Sequence, residues 1–179
     1  MPSSSGAANP GSQRLFFALW PDPVVRARLA ALLPGLAAQT GQAVAADNLH
    51  LTLAFLGNVS PAQRQCMEAW AGRLGPVALN LTLDRLGYWP GPRVAWLGPS
   101  RWPEALDALA LAFAEGMRHC GLRPDHRSYT PHITLLRKAR ALPDAPADLP
   151  ISWQTQGFVL CESRSGEAGV EYRVLRRWE

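Results

Sequence analysis

The pattern His-x-Thr occurs twice in this chain, as His50-Leu51-Thr52 and as His132-Ile133-Thr134, each inside an apolar run of strand-like composition. In an extended chain successive side chains alternate faces, so His50 and Thr52 share one face while Leu49, Leu51, Leu53 and Phe55 are expected on the other. The second copy sets His132 and Thr134 against Ile133 and Leu135 in the same way. A polar pair on an otherwise apolar strand costs stability unless it is satisfied or used. With only four histidines in 179 residues, two such matches arise by chance in roughly one sequence in a hundred. The bland alternative is a pair of core histidines, each bonded to a nearby threonine.

The chain between and around the two motifs alternates strand and helix. Arg14 to Trp20 reads as a strand, and Asp22-Pro23 as the cap and first turn of a helix that Pro34-Gly35 should end near Leu33. After the His50 strand, Ser60-Pro61-Ala62-Gln63 has the form of a capping box and opens a helix to Leu74, with Gly75 as its stop. Val77 to Leu86 alternates as a half-buried strand, and Tyr88 to Pro92 should turn it into Arg93 to Leu97. Pro103 to Cys120 carries a helical stripe of Leu106, Leu109, Ala110, Phe113 and Met117. The His132 strand follows, then a Pro-rich loop, a strand over 151–162, a turn over 163–169 and a last strand over 170–178. The 82-residue spacing of the motifs, with a helix in each half, predicts a duplicated α+β unit whose two sheets face each other across a cleft holding both histidines.

Composition narrows the class. Hydrophobic residues make up 47% and charged residues 18%, the balance of an ordered globular domain. Met1 to Ser12 lacks the features of a signal or transit peptide and is expected to be a disordered tail ahead of one domain over 13–179. No apolar run is long enough for a membrane span. Cys66, Cys120 and Cys161 are odd in number and without a Cys-x-x-Cys spacing, so all three are expected as free, buried thiols in a reducing cytoplasm. The net charge is +4, and Lys138 is the only lysine among 18 basic residues. Arginine suits bidentate contact with phosphate, although an arginine-rich composition also follows from a GC-rich genome.

Two imidazoles on one site suit a reaction in which one removes a proton and the other supplies one. Thr52 and Thr134 offer hydroxyl donors to a developing oxyanion. Neither histidine has the third protein ligand that catalytic zinc requires, so no metal or other cofactor is expected. Arg137, five residues past His132, is placed to reach a bound phosphate. His119 is accounted for by a helix C-terminus and His126 by a loop. Trp89, Trp96, Trp102, Trp153 and Trp178 are as well explained by the core as by base stacking.

Taken together, RLFFALW near the start, AADNLHLTLAFLG, RVAWLG, YTPHITLLR and the terminal YRVLRRW resemble the two-histidine (2H) phosphoesterase superfamily. Within it they are most similar to the bacterial RNA 2',3'-cyclic phosphodiesterases, also called 2'-5' RNA ligases. The resemblance implies an α+β, bilobal fold of two pseudo-symmetric lobes of antiparallel sheet plus helices around a central groove. It implies metal-free opening of a terminal 2',3'-cyclic phosphate to a 2'-phosphate, with His50 as proton donor, His132 as proton acceptor, and Thr52, Thr134 and Arg137 binding substrate. The expected partner is RNA with a cyclic phosphate end, acted on by a cytoplasmic monomer. Small cyclic phosphates or 2'-5' linked oligonucleotides are the alternative substrates, and an RNA-end binding module without activity is the alternative class.

Overall fold

The computed structural model describes residues 12–166 and 169–179. Of the expected tail, residues 1–11 lie outside that range. The elements run β1 (Gln13–Leu19), α1 (Pro23–Gln39), β2 (Gln42–Ala43), a 3-10 turn (Ala46–Asn48), β3 (Leu51–Val59), α2 (Pro61–Leu74), β4 (Leu79–Leu83) and β5 (Arg85–Trp89). They continue with β6 (Val94–Gly98), α3 (Glu104–His119), β7 (Ile133–Arg137), β8 (Ile151–Thr155), β9 (Phe158–Gly166) and β10 (Gly169–Trp178). The larger sheet has the order β10-β9-β1-β3-β7-β6-β5 with β2 also on β7, and β4 pairs with β8 in a separate ribbon. Every pairing is antiparallel.

The two motif strands are neighbours in that sheet. β3 and β7 meet edge to edge through the single recorded pair Leu51↔Ile133, where two sheets facing each other were expected. On one side of this seam lie β1, β9 and β10, and on the other β6 and β5, while β2 follows β3 along the same edge of β7, opposite β6. The helices are exchanged between the sides. α1, from the first half of the chain, packs on β2, β7 and β8, whereas α3, from the second half, packs on β3 and α2. Phe17 of β1 stacks on Phe113 of α3 with ring centroids 4.3 Å apart, and Phe158 and Trp178 close the cluster. Truncating a buried aromatic such as Phe113 to alanine costs about 3–5 kcal/mol.

Three strand boundaries differ from the sequence reading. The 77–86 alternation is broken after Leu83: Leu79, Leu81 and Leu83 are buried in the ribbon, and Arg85–Trp89 joins the large sheet as the partner of β6. Residues 151–162 likewise divide into β8, in the ribbon, and β9, in the large sheet. The expected turn over 163–169 narrows, because β9 and β10 stay paired out to Gly166↔Gly169.

Helix α1 does not stop at Leu33. It continues through Pro34 to Gln39, where the Thr40 N–H closes on the Leu36 carbonyl. A proline inside a helix costs about 3 kcal/mol, but Leu32, Leu33 and Leu36 are all buried on this helix, and each buried leucine stabilises by about 1.5–3 kcal/mol. Packing outweighs the local penalty. The α2 capping box forms as its sequence requires, Ser60 Oγ accepting from Gln63 N–H and Gln63 Oε1 accepting from Ser60 N–H.

The cysteine expectation is overturned for two of three. Cys66 on α2 and Cys120 at the end of α3 form a disulfide across a Cα–Cα distance of 5.8 Å. Their separation of 54 residues carries no signal in the sequence; the packing of α2 on α3 brings them together. Cys161 is the buried, free thiol expected, and burial pushes it up to about 12.

Candidate active site

Antiparallel register about Leu51↔Ile133 sets His50 opposite Thr134 and His132 opposite Thr52, since directly opposed residues point to one face. The two motifs therefore share a face at the seam of the sheet, with Leu51 and Ile133 buried beneath it. Both histidines are held in the same way. His50 Nδ1 lies 2.6 Å from the Asn48 carbonyl and His132 Nδ1 lies 2.7 Å from the Thr130 carbonyl. A carbonyl oxygen only accepts, so Nδ1 carries the hydrogen in both rings and Nε2 is the nitrogen free to gain or lose a proton. His50 Nε2 stands 3.1 Å from Thr52 Oγ1. Asn48 is itself clamped to the last strand: its Nδ2 donates to the Val170 carbonyl at 2.6 Å and its Oδ1 accepts from Tyr172 N–H at 3.1 Å.

Arg137 reaches this face through a bulge. An odd offset from His132 would place it on the buried side of a regular strand. The pairs Ala95↔Leu136 and Trp96↔Thr134 leave Leu135 as an extra residue, so Leu135 and Leu136 are both buried and Arg137 emerges beside the histidines. Its charge helps depress the His50 imidazole. The first motif is bulged at the matching place, Leu53, between Phe17↔Ala54 and Ala18↔Thr52. Phe55 thereby leaves the core side where simple alternation put it and is 45% exposed, with the Arg14 guanidinium 4.8 Å above its ring. Phe55 and Arg137 occupy equivalent positions in the two halves.

Aromatic walls enclose both imidazoles, and sequence reasoning singled out none of them. Phe16, Trp20 and Tyr172 surround His50 with ring centroids at 4.8, 5.9 and 4.9 Å. Trp89 meets His132 edge-on at 4.5 Å, backed by Trp96 at 6.1 Å. Trp96 can lie there because residue 87 is glycine; a Cβ at that position would fall within the indole. Trp153 and Trp178 belong to the core, and Trp102 packs against it. His119 sits on the last turn of α3 against Trp70, away from this face.

Burial dominates the electrostatics. It lowers the His50 pKa to about 4; the Asn48 hydrogen bond opposes this, and the charges of His132, Arg137 and Arg26 reinforce it. Burial also lowers His132, against the Thr130 hydrogen bond and with help from Arg127. Both rings are thus neutral at pH 7 with nothing bound, facing arginine side chains. Among the described residues no group of three or more His, Cys, Asp or Glu side chains is close enough to hold a metal ion. No helix of the described residues is long and apolar enough to cross a membrane.

The comparisons with known proteins fit this geometry. Residues 17–167 match the family model of the 2'-5' RNA ligase superfamily. The RNA 2',3'-cyclic phosphodiesterase of Escherichia coli is 37% identical over 171 residues, covering 93% of this chain and 96% of that protein. The protein of the same name from Archaeoglobus fulgidus is 30% identical over 84% of this chain and 86% of its own length. The crystal structure of E. coli LigT in apo form superposes with a TM-score of 0.84 at 36% identity, over 94% of this chain and 97% of that one. LigT has also been crystallised with 3'-AMP, with a TM-score of 0.82 at 36% identity over 93% and 97% of the two chains.

Proposed function

The chain belongs to the 2'-5' RNA ligase superfamily, and from that premise we propose that it hydrolyses a terminal 2',3'-cyclic phosphate of RNA to a 2'-phosphate by metal-free acid–base catalysis. The observation that carries the reading is the matched pair of imidazoles on one face of the sheet, each with Nδ1–H bound to the carbonyl two residues back, which leaves Nε2 as the nitrogen for proton transfer. Relatives that carry the name RNA 2',3'-cyclic phosphodiesterase, and the capture of 3'-AMP by LigT, support the substrate class.

In this reading His132 Nε2 takes a proton from water as the water oxygen attacks phosphorus in line. The P–O3' bond breaks, and His50 Nε2–H protonates the departing oxygen, leaving a 2'-phosphate and a 3'-hydroxyl. One proton is taken up and one delivered, so the pair ends with its protonation states exchanged and resets through solvent. Thr52, Thr134 and Arg137 hold the non-bridging oxygens. His50, neutral in the free protein, must be protonated to act as acid, and the anionic phosphate is what makes the imidazolium favourable.

The test is mass spectrometry of the products from a cyclic-phosphate-ended oligonucleotide, with and without a chelator. A gain of one water, located as a 2'-phosphate and insensitive to chelation, is expected. Recovery of unreacted but protein-bound oligonucleotide would make the protein an RNA-end binder. Loss of turnover with chelator, restored by one particular metal, would remove the two-histidine mechanism.

A further inference from the structure

A cavity of about 430 Å³ is bordered by Trp20 and Arg26, by the β8–β9 turn from Gln154 to Val159, and by Arg177, and the mechanism above makes no use of it. Cross-strand register places two of its walls, Val159 and Arg177, on the catalytic face. Thr52 opposes Ala18, Ala18 opposes Val159, and Val159 opposes Arg177. Directly opposed residues share a face, so these four form one row across β3, β1, β9 and β10. Three interstrand steps of about 4.8 Å put Arg177 roughly 14 Å from Thr52 along that row, which the length of the arginine side chain reduces to about the span of one nucleotide. Trp20 joins the cavity to the site, since its ring lies nearly parallel to that of His50, 16° between planes. The Arg26 guanidinium stands 4.9 Å from the Trp20 centroid.

The charges in this cavity are arranged as a site for an anion. Arg26 donates only to the carbonyls of Ala46 and Pro21 and has no ion-pair partner among the described residues. Arg177 is near enough for its charge to act on Arg26, so two cations converge on one space. The Asp47 carboxylate also acts on Arg26, without forming an ion pair with it among the described residues, and two further carboxylates border the cavity. Asp22 is committed to capping α1 through Val24 N–H and Val25 N–H. Glu179 pairs with Arg177 at 3.0 Å, both side chains about half exposed, a weak contact that a phosphate can displace.

The chemistry decides what enters. On the proposed function, His50 protonates the sugar oxygen that leaves phosphorus, so the ribose and everything 5' of it lie on the His50 side, while water arrives from the His132 side. We propose that the cavity between Trp20, Arg26 and Arg177 binds the phosphodiester one nucleotide 5' of the reacting end, and so selects oligonucleotides over mononucleotides. This inference rests on the roles given to the two histidines.

The experiment compares kcat/KM for a cyclic-phosphate-ended trinucleotide with that for the corresponding nucleoside 2',3'-cyclic phosphate. Arg177→Gln should lower the oligonucleotide-to-mononucleotide ratio about tenfold, as expected for losing one charge-assisted phosphate contact, and Arg177→Lys should restore part of it. Glu179→Gln should raise the ratio, because the competing counter-ion is gone. The slope of log kcat/KM against log salt for the trinucleotide should flatten by about 0.7 in Arg177→Gln, the value for one contact to a single strand. An unchanged ratio, or equal losses on both substrates, overturns the subsite while leaving the hydrolase reading intact. If the wild-type protein turns over neither substrate, the hydrolase reading fails and the subsite falls with it.

Discussion

His50 is where burial and function meet most sharply. Its imidazole sits among Phe16, Trp20 and Tyr172, and its pKa is lowered to about 4 from an ordinary 6.5. Between these values the unfolded chain binds a proton at His50 that the folded chain does not, so stability rises with pH across the window and is lost as pH falls from 6.5 toward 4. The full difference corresponds to about 3 kcal/mol. Acid denaturation of His50→Gln should be visibly flatter over that window, as read by chemical denaturation at stepped pH. The same shift governs catalysis. With donor and acceptor both lowered in the free protein, kcat/KM should peak below pH 6.5 and fall about tenfold per pH unit above both pKa values. The kcat profile should lie at higher pH, because bound phosphate favours His50 protonation. Coincident kcat and kcat/KM profiles would contradict this. A phosphodiester with a nitrophenolate leaving group should rescue His50→Ala but not His132→Ala, since only the donor has become unnecessary; the reverse result would exchange the two roles.

The elements that matter most are two bulged strands and one cross-linked helix pair. Leu135, the extra residue of β7, turns Arg137 onto the catalytic face. Arg137→Ala should reduce kcat/KM by the equivalent of about 2–4 kcal/mol, the range for removing one partner of a charge-assisted phosphate contact, with only a small upward move of the His50 limb, since burial and not Arg137 is the main cause of its lowered pKa. A large shift of the pH profile would mean that Arg137 acts chiefly through His50. The Cys66–Cys120 bond joins α2 to the end of α3 on the far side of the sheet from the groove. Closing a loop of this length accounts for about 4 kcal/mol in the chain-entropy description. Cys66→Ser should therefore lower the Tm measured by calorimetry, a reductant should do the same to the wild-type protein only, and kcat/KM should hold in both cases.

At the scale of the molecule, the exchange of α1 and α3 makes the halves interdependent. α3 covers β3, the strand that follows His50, while α1 covers β7, the strand that follows His132. Phe113 of α3 stacks on Phe17 of β1 behind the catalytic face. Phe113→Leu should destabilise the whole protein in one cooperative transition, because neither half keeps its own helix. Loss of only one half's strand signal in hydrogen exchange would argue for lobes that unfold separately.

What could be read from the chain was what depends on near neighbours. The Ser60–Gln63 capping box, the Asp22 cap and the α3 stripe are set by residues three or four apart, and all formed where their spacing placed them. The two His-x-Thr patterns were legible for the same reason, since period-two alternation alone puts each histidine and threonine on one face. The bulges at Leu53 and Leu135 were not, because an extra residue exists only relative to a partner strand, and on them depend the exposure of Phe55 and the aim of Arg137. The run of α1 through Pro34 was decided by the burial of Leu36 against another part of the chain. The disulfide, the aromatic walls and the Asn48 clamp on β10 join residues 30 to 124 positions apart. Separations of that kind leave no local pattern, because loop closure grows only slowly more costly with length and packing alone selects the partner.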